Sequence, residues 1–189
     1  MGQNPETFVE APRRANAAFI ALNVLGGLAV LGSYVHGLAS YPETRGDVWG
    51  GVPEALQPLY TVSMLLATLG YFPMTAYVLF RLSRRPVRVG PFGFGFFHAC
   101  YAAILVFSAV WMPLTFAMLD APSPGLWFAI RAVLGLVAAG SLGVGVGLFA
   151  ARPRDRGPFW RLALAGCVLF CNQTVLLDAL VWPYFWDQG

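Results

Sequence analysis

Five apolar stretches, at about residues 17–40, 56–80, 92–119, 126–150 and 159–183, constrain this chain more than any other feature. Each is longer than the ~20 residues a helix needs to cross the hydrocarbon core of a bilayer. Apolar residues make up 58% of the 189 and charged residues only 11%, under half the ~25% of a soluble domain. Too little polar surface remains to cover a globule in water. The predicted fold is all-α: a polytopic membrane protein with one five-helix transmembrane domain over residues 17–186. A short polar segment, residues 1–16, precedes it. The first apolar run follows Arg13 and Arg14 but is longer than the hydrophobic region of a cleaved signal.

The basic residues orient the bundle. All 12 are arginine. Arg13 and Arg14 precede the first span; Arg81, Arg84, Arg85 and Arg88 follow the second. Arg152, Arg154, Arg156 and Arg161 lie between or just inside the fourth and fifth. The opposite side carries Arg45 with Glu43, Asp47, Glu54 and Asp120. Arginine collects in cytoplasmic loops, so the expectation is N-terminus in, C-terminus out, in the inner (plasma) membrane. Trp182, Tyr184 and Trp186 are then expected as an outer interfacial belt, with Trp160 on the inner side. Arginine placed at span ends gives no nucleic-acid signal.

The 41–55 loop holds Trp49, Pro42, Pro53, Gly46, Gly50 and Gly51, a composition that forbids a regular helix. A loop folded back on the bundle and an ordinary interfacial loop both fit it. Gly135, Ala139, Gly143 and Gly147 repeat at four-residue spacing in the fourth span, a pattern that lets helices approach closely. It serves either packing within the monomer or a homodimer or complex partner. Pro73 and Pro113 fall inside spans and should kink them.

Ionisable groups within a bilayer are costly and need an explanation. Arg131 and Asp178 lie at matching depth near the outer ends of spans four and five, and are expected to pair. His36 and Asp120 lie on the same side, so the four could gather under the 41–55 loop. By α-helical spacing Asp178 shares a face with Thr174, Cys171 and Cys167. His98 lies about 20 Å from His36 in depth, so the two cannot hold one haem or metal. Asn172, Gln173 and Thr174, at mid-depth, suit helix–helix hydrogen bonding. Cys100, Cys167 and Cys171 are an odd set inside apolar stretches, with no CxxC, against a disulfide framework. No hydrolase, zinc-protease or phosphate-loop motif occurs, so an enzyme is the lesser expectation, and no cofactor is implied.

Two stretches carry a family resemblance. Pro58-Leu59-Tyr60 leads into Met64 and Ala67, and Trp111-Met112-Pro113-Leu114-Thr115-Phe116 follows in the third span. With five spans, 6 Trp and a first loop holding Trp and Pro, the chain resembles the TspO/MBR family of tryptophan-rich sensory proteins. The motifs cover about a dozen residues. Trp49 and Pro53 stand where that family usually has two tryptophans and a Pro-Pro pair, and its asparagine near the end of helix five has no clear counterpart. The resemblance implies a helical pocket, lidded by the first loop, for porphyrins, sterols or similar apolar ligands, often in a homodimer. The expected function is binding of a small apolar or amphipathic ligand near the outer side by His36, Trp49, Trp111, Arg131 and Asp178. The alternative is a non-catalytic accessory or assembly subunit of a larger membrane complex.

Overall fold

The computed structural model describes residues 12–152 and 156–186. Five helices are long and apolar enough to cross a membrane: Asn16–Ser40, Gln57–Leu82, Gly95–Asp120, Pro124–Ala150 and Pro158–Trp186. The elements are α1 (Pro12–Ser40), a 3₁₀ turn (Asp47–Trp49), α2 (Gln57–Tyr77, continued as a π-helical turn, Val78–Leu82), α3 (Gly95–Asp120), α4 (Pro124–Ala150) and α5 (Pro158–Cys171). The fifth span runs on as a π-helix, Asn172–Val181, and ends in α6 (Trp182–Trp186). Residues 1–11 of the expected N-terminal segment, and Arg154, lie outside the described residues. Residues 12–16 of that segment already belong to α1. Proline starts α4 and α5, where its missing N–H costs nothing. Ser123 caps α4, its Oγ accepting from the Leu126 amide at 3.3 Å. Pro73 and Pro113 both lie within continuous helices.

The helices form a ring in the order α1, α3, α4, α5, α2. Hydrogen bonds from Tyr71 Oη to Asn23 Oδ1 (2.6 Å) and from Tyr101 Oη to Thr75 Oγ1 (3.1 Å) join α2 to α1 and α3. The most apolar stretch of α4 is 50% buried and that of α1 only 6%, so α4 is the central helix and α1 faces lipid. Lipid tails are as apolar as these side chains, so close packing rather than water exclusion holds such helices together. Glycine supplies the closest approach. A Cβ on Gly70 would lie 2.5 Å from the Gly166 carbonyl oxygen, and Gly166 presses equally on Gly70, so α2 and α5 cross backbone to backbone.

The four-residue stripe of α4 divides. Cβ atoms on Gly143 and Gly147 would meet Cys100 Sγ at 2.6 Å and Phe97 at 2.7 Å, and Gly140 likewise meets the Cys100 carbonyl at 2.8 Å. These three pack on α3. Gly135 and Ala139 are exposed, with nothing within 4 Å of a Cβ at Gly135. A step of four residues advances about 40° around an α-helix, so three steps turn such a row by about 120°.

The bundle has two apolar cores. One, toward the arginine-bearing loops, centres on Phe19, Met74, Tyr77, Phe97, Tyr101 and Val144. The other, toward the 41–56 loop, joins Val52, Tyr60, Ile130, Leu134 and Trp182, with Trp49, Trp111 and Trp127 against them. We call these ends the arginine face and the tryptophan face. On α2, α4 and the fifth span a layer of polar side chains falls between the two cores. Asn172 donates to Ser63 Oγ (3.1 Å) and Thr174 to Ser141 Oγ (2.9 Å), joining α5's continuation to α2 and α4. At the arginine face the two connecting loops are joined by paired backbone hydrogen bonds between Arg88 and Arg152 (3.1 and 2.9 Å).

Candidate functional site

Gln173 and Asp178 stand five residues apart, and Gln173 Nε2 donates to Asp178 Oδ1 at 2.6 Å. In an α-helix, side chains five apart point about 140° away from each other. The π-helix makes this contact possible, because its wider turn bonds i to i+5 and stacks those residues. Wide turns of this kind recur at functional sites. Here ten residues adopt one, Asn172–Val181, and they carry both groups.

The same widening redirects Asp178. Thr174 faces Ser141 of α4, as α-helical spacing would have it, but Asp178 does not follow. It lies within electrostatic reach of the Tyr34 hydroxyl on α1 and the Tyr60 hydroxyl on α2. Tyr60 Oη itself donates to the Leu177 carbonyl at 3.4 Å. Tyr34 lies against Trp111, ring centroids 5.8 Å apart, and Trp49 meets Tyr60 edge-on at 6.3 Å. Trp49 and Trp111 are thus linked to Asp178 through Tyr60 and Tyr34, and Gln173 bonds it directly.

His36 and Arg131 stand apart from it. His36 is exposed, its Nδ1 sharing a 3.2 Å hydrogen bond with Ser40 Oγ one turn along α1. Arg131 is exposed too, its guanidinium 5.9 Å from the Trp127 ring centre. The expected ion pair between Arg131 and Asp178 is not formed: Asp178 accepts from Gln173, and Arg131 lies exposed over Trp127. Asp120 is exposed at the end of α3, so the four ionisable groups do not gather. Gly135 and Ala139, one and two turns along α4 from Arg131, are exposed as well, so the small-residue row does not turn Arg131 inward.

The 41–56 loop folds back onto the bundle. Val52 is 4% exposed within the tryptophan-face core, and Trp182 Nε1 donates to the Val48 carbonyl at 3.1 Å. Gly50 takes φ +59°, and a Cβ there would meet the Trp186 ring at 2.6 Å. The positive φ and the near contact both suit glycine. Of the expected interfacial belt, Tyr184 is exposed, but Trp182 is 4% exposed because its N–H turns inward to bond this loop. Trp160 at the other face donates to the Leu148 carbonyl at 2.9 Å under Arg156.

Two buried polar atoms at this site have no partner: Trp111 Nε1, a donor, and Gln173 Oε1, an acceptor. Such groups cost roughly 1–3 kcal/mol each when buried, and native structures rarely tolerate them without a reason. Sequence reading found Trp111 but placed Gln173 among helix-bonding residues. Nothing in the α-helical pattern marks it as the partner of Asp178. Tyr34 and Tyr60 are not among the expected site residues either, although Tyr60 belongs to the second-span motif.

No family model, curated protein or solved structure matches this chain. The functional reading therefore stands on the site itself. One carboxyl group, two phenols, an indole and an amide converge within an aromatic wall. Among the described residues no three His, Cys, Asp or Glu side chains come together as a metal site would need.

Proposed function

We propose that this multi-pass membrane protein binds a small amphipathic molecule beneath the 41–56 loop. The polar head of the ligand meets Asp178 and Gln173, and its apolar body lies against Trp49, Trp111 and Tyr60. The observation that carries the reading is the pair of buried, unpartnered atoms, Trp111 Nε1 and Gln173 Oε1, the latter on the residue bonded to the Asp178 carboxyl group. A head bearing a donor and an acceptor satisfies both. Asp178 has no cationic partner among the described residues, which favours a head rich in donors, such as an amine. The loop is held over this site by Trp182 and Trp186, as a lid would be. A lidded helical pocket is also what the resemblance to the tryptophan-rich sensory proteins implies, and sterol or porphyrin ligands belong to that resemblance.

In this reading the arginine face is cytoplasmic and the lid opens to the outer side of the inner membrane. An accessory role in a larger complex has less to build on, because Gly143 and Gly147 are already packed against α3. Native mass spectrometry after extraction in mild detergent tests the proposal. Wild-type protein should carry a small-molecule adduct that Trp111→Phe and Gln173→Leu reduce. A folded wild type that never carries one, even after incubation with long-chain alkylamines, contradicts it.

A further inference from the structure

Arg131 is the one arginine well inside a span, and it is exposed on the lipid-facing side of α4. Among the described residues its interaction is with the Trp127 ring, one turn nearer the tryptophan face, and no carboxylate partners it. A cation in this position requires an anion, and none of the described residues supplies one. Directly beside it, Met118, Pro122, Ser123, Pro124, Trp127 and Trp186 line an open groove of about 430 Å³. Below it on the same helix row, Gly135 and Ala139 are exposed, leaving a shallow trough along α4.

The depths agree. α4 has 27 residues, about 40 Å of helix against a hydrocarbon core of ~30 Å, so each end extends about 5 Å beyond the core. Arg131 is seven residues after Pro124, about 10 Å in, hence about 5 Å below the boundary. Its long side chain leans back toward Trp127, which brings the guanidinium to headgroup level.

The geometry points to a specific site for an anionic phospholipid of the leaflet at the tryptophan face. The phosphate pairs with Arg131, the glycerol and headgroup lie in the Trp127–Trp186 groove, and one acyl chain follows the Gly135–Ala139 trough. Guanidinium and phosphate match in charge and in bidentate geometry. Asp120, two residues from the groove-lining Met118 and Pro122, is exposed, so water screens it. This lipid site is separate from the ligand site around Asp178 and does not depend on it.

Brominated lipids quench nearby indoles and so locate the lipid. Five of the six tryptophans lie at the tryptophan face; Trp160→Phe removes the sixth. In phosphatidylcholine nanodiscs doped with brominated phosphatidylglycerol, that variant should be quenched at about one-fifth the lipid fraction that brominated phosphatidylcholine needs, the fivefold gain of about one basic contact. Arg131→Gln should abolish the difference, and Arg131→Lys should keep part of it. If Trp160→Phe does not fold, the wild type serves, since the groove-lining Trp127 and Trp186 are present in it too. Equal quenching by both lipids overturns the proposal, as does a preference that survives Arg131→Gln. A dimer in the nanodisc that Gly135→Leu dissociates also overturns it, because a second copy would then cover this face.

Discussion

The bond from Gln173 to Asp178 is the contact on which the site depends at the scale of single residues. A hydrogen bond to a carboxylate contributes about 1.5–3 kcal/mol. Gln173→Leu should therefore lower thermal stability in detergent by roughly that amount, read as a falling melting temperature. Asp178→Asn keeps an acceptor for Gln173 and should cost less. Arg131→Gln should leave stability within about 0.5 kcal/mol of wild type, as surface changes do. Arg131 and Asp178 have no shared partner, so the double variant should equal the sum of the singles within about 0.5 kcal/mol. A coupling above 1 kcal/mol in that cycle would restore the ion pair this structure lacks. Sequence alone put Trp49, Trp111 and Asp178 toward one end of the bundle, where the structure also has them. It did not foresee that Arg131 and His36 are exposed, because depth was legible and azimuth was not. Loop boundaries fix depth, whereas azimuth depends on which face of each helix is packed and, for Asp178, on the period, which changes at Asn172.

Helices were legible as elements, since five apolar runs of bilayer length have few other solutions. Their contacts were less so. The α4 stripe pointed to close packing, and Gly143 and Gly147 do pack, but the row turns out of the interface at Gly135. The tightest crossing joins Gly70 to Gly166, two single glycines on different helices with no spacing motif to announce them. Gly70→Ala and Gly166→Ala should each destabilise the protein by about 1–3 kcal/mol, because a methyl group must displace backbone. Gly135→Ala, with open space around it, should not destabilise it. Thermal unfolding of the three variants in one detergent checks the contrast; a loss at Gly135 equal to that at Gly70 would show that the exposed row is an interface. The lid was undecided in sequence for a related reason. Its Pro and Gly content excludes a helix, but its position depends on Trp182 and Trp186, more than 130 residues away. Gly50→Ala should loosen the lid, by forcing a Cβ into left-handed φ against Trp186. The loosening should appear as faster proteolysis between residues 41 and 56.

Over the whole molecule, two apolar cores with a polar layer between them give a bundle with two different ends. One end carries arginines on short, bridged loops. The other carries a tryptophan-lined lid over a carboxyl group. Cysteines placed at residues 84 and 45 should be labelled from opposite sides of the membrane, residue 84 only after permeabilisation of the cells. Labelling of residue 84 in intact cells would invert the orientation proposed here.

Ligand recognition by Asp178 is the central claim, and an amphiphile of known charge tests it most directly. Tetradecylamine titrated into the purified protein should change tryptophan fluorescence with saturation, through Trp49 and Trp111. Tetradecanoate, with the same tail and opposite charge, should bind about tenfold more weakly, a difference of about 1.4 kcal/mol. Asp178→Asn should erase that preference while leaving the fold intact, and Arg131→Gln should leave the amine binding unchanged. Equal affinity of the wild type for amine and carboxylate, or a preference for amine that persists in Asp178→Asn, would contradict the account.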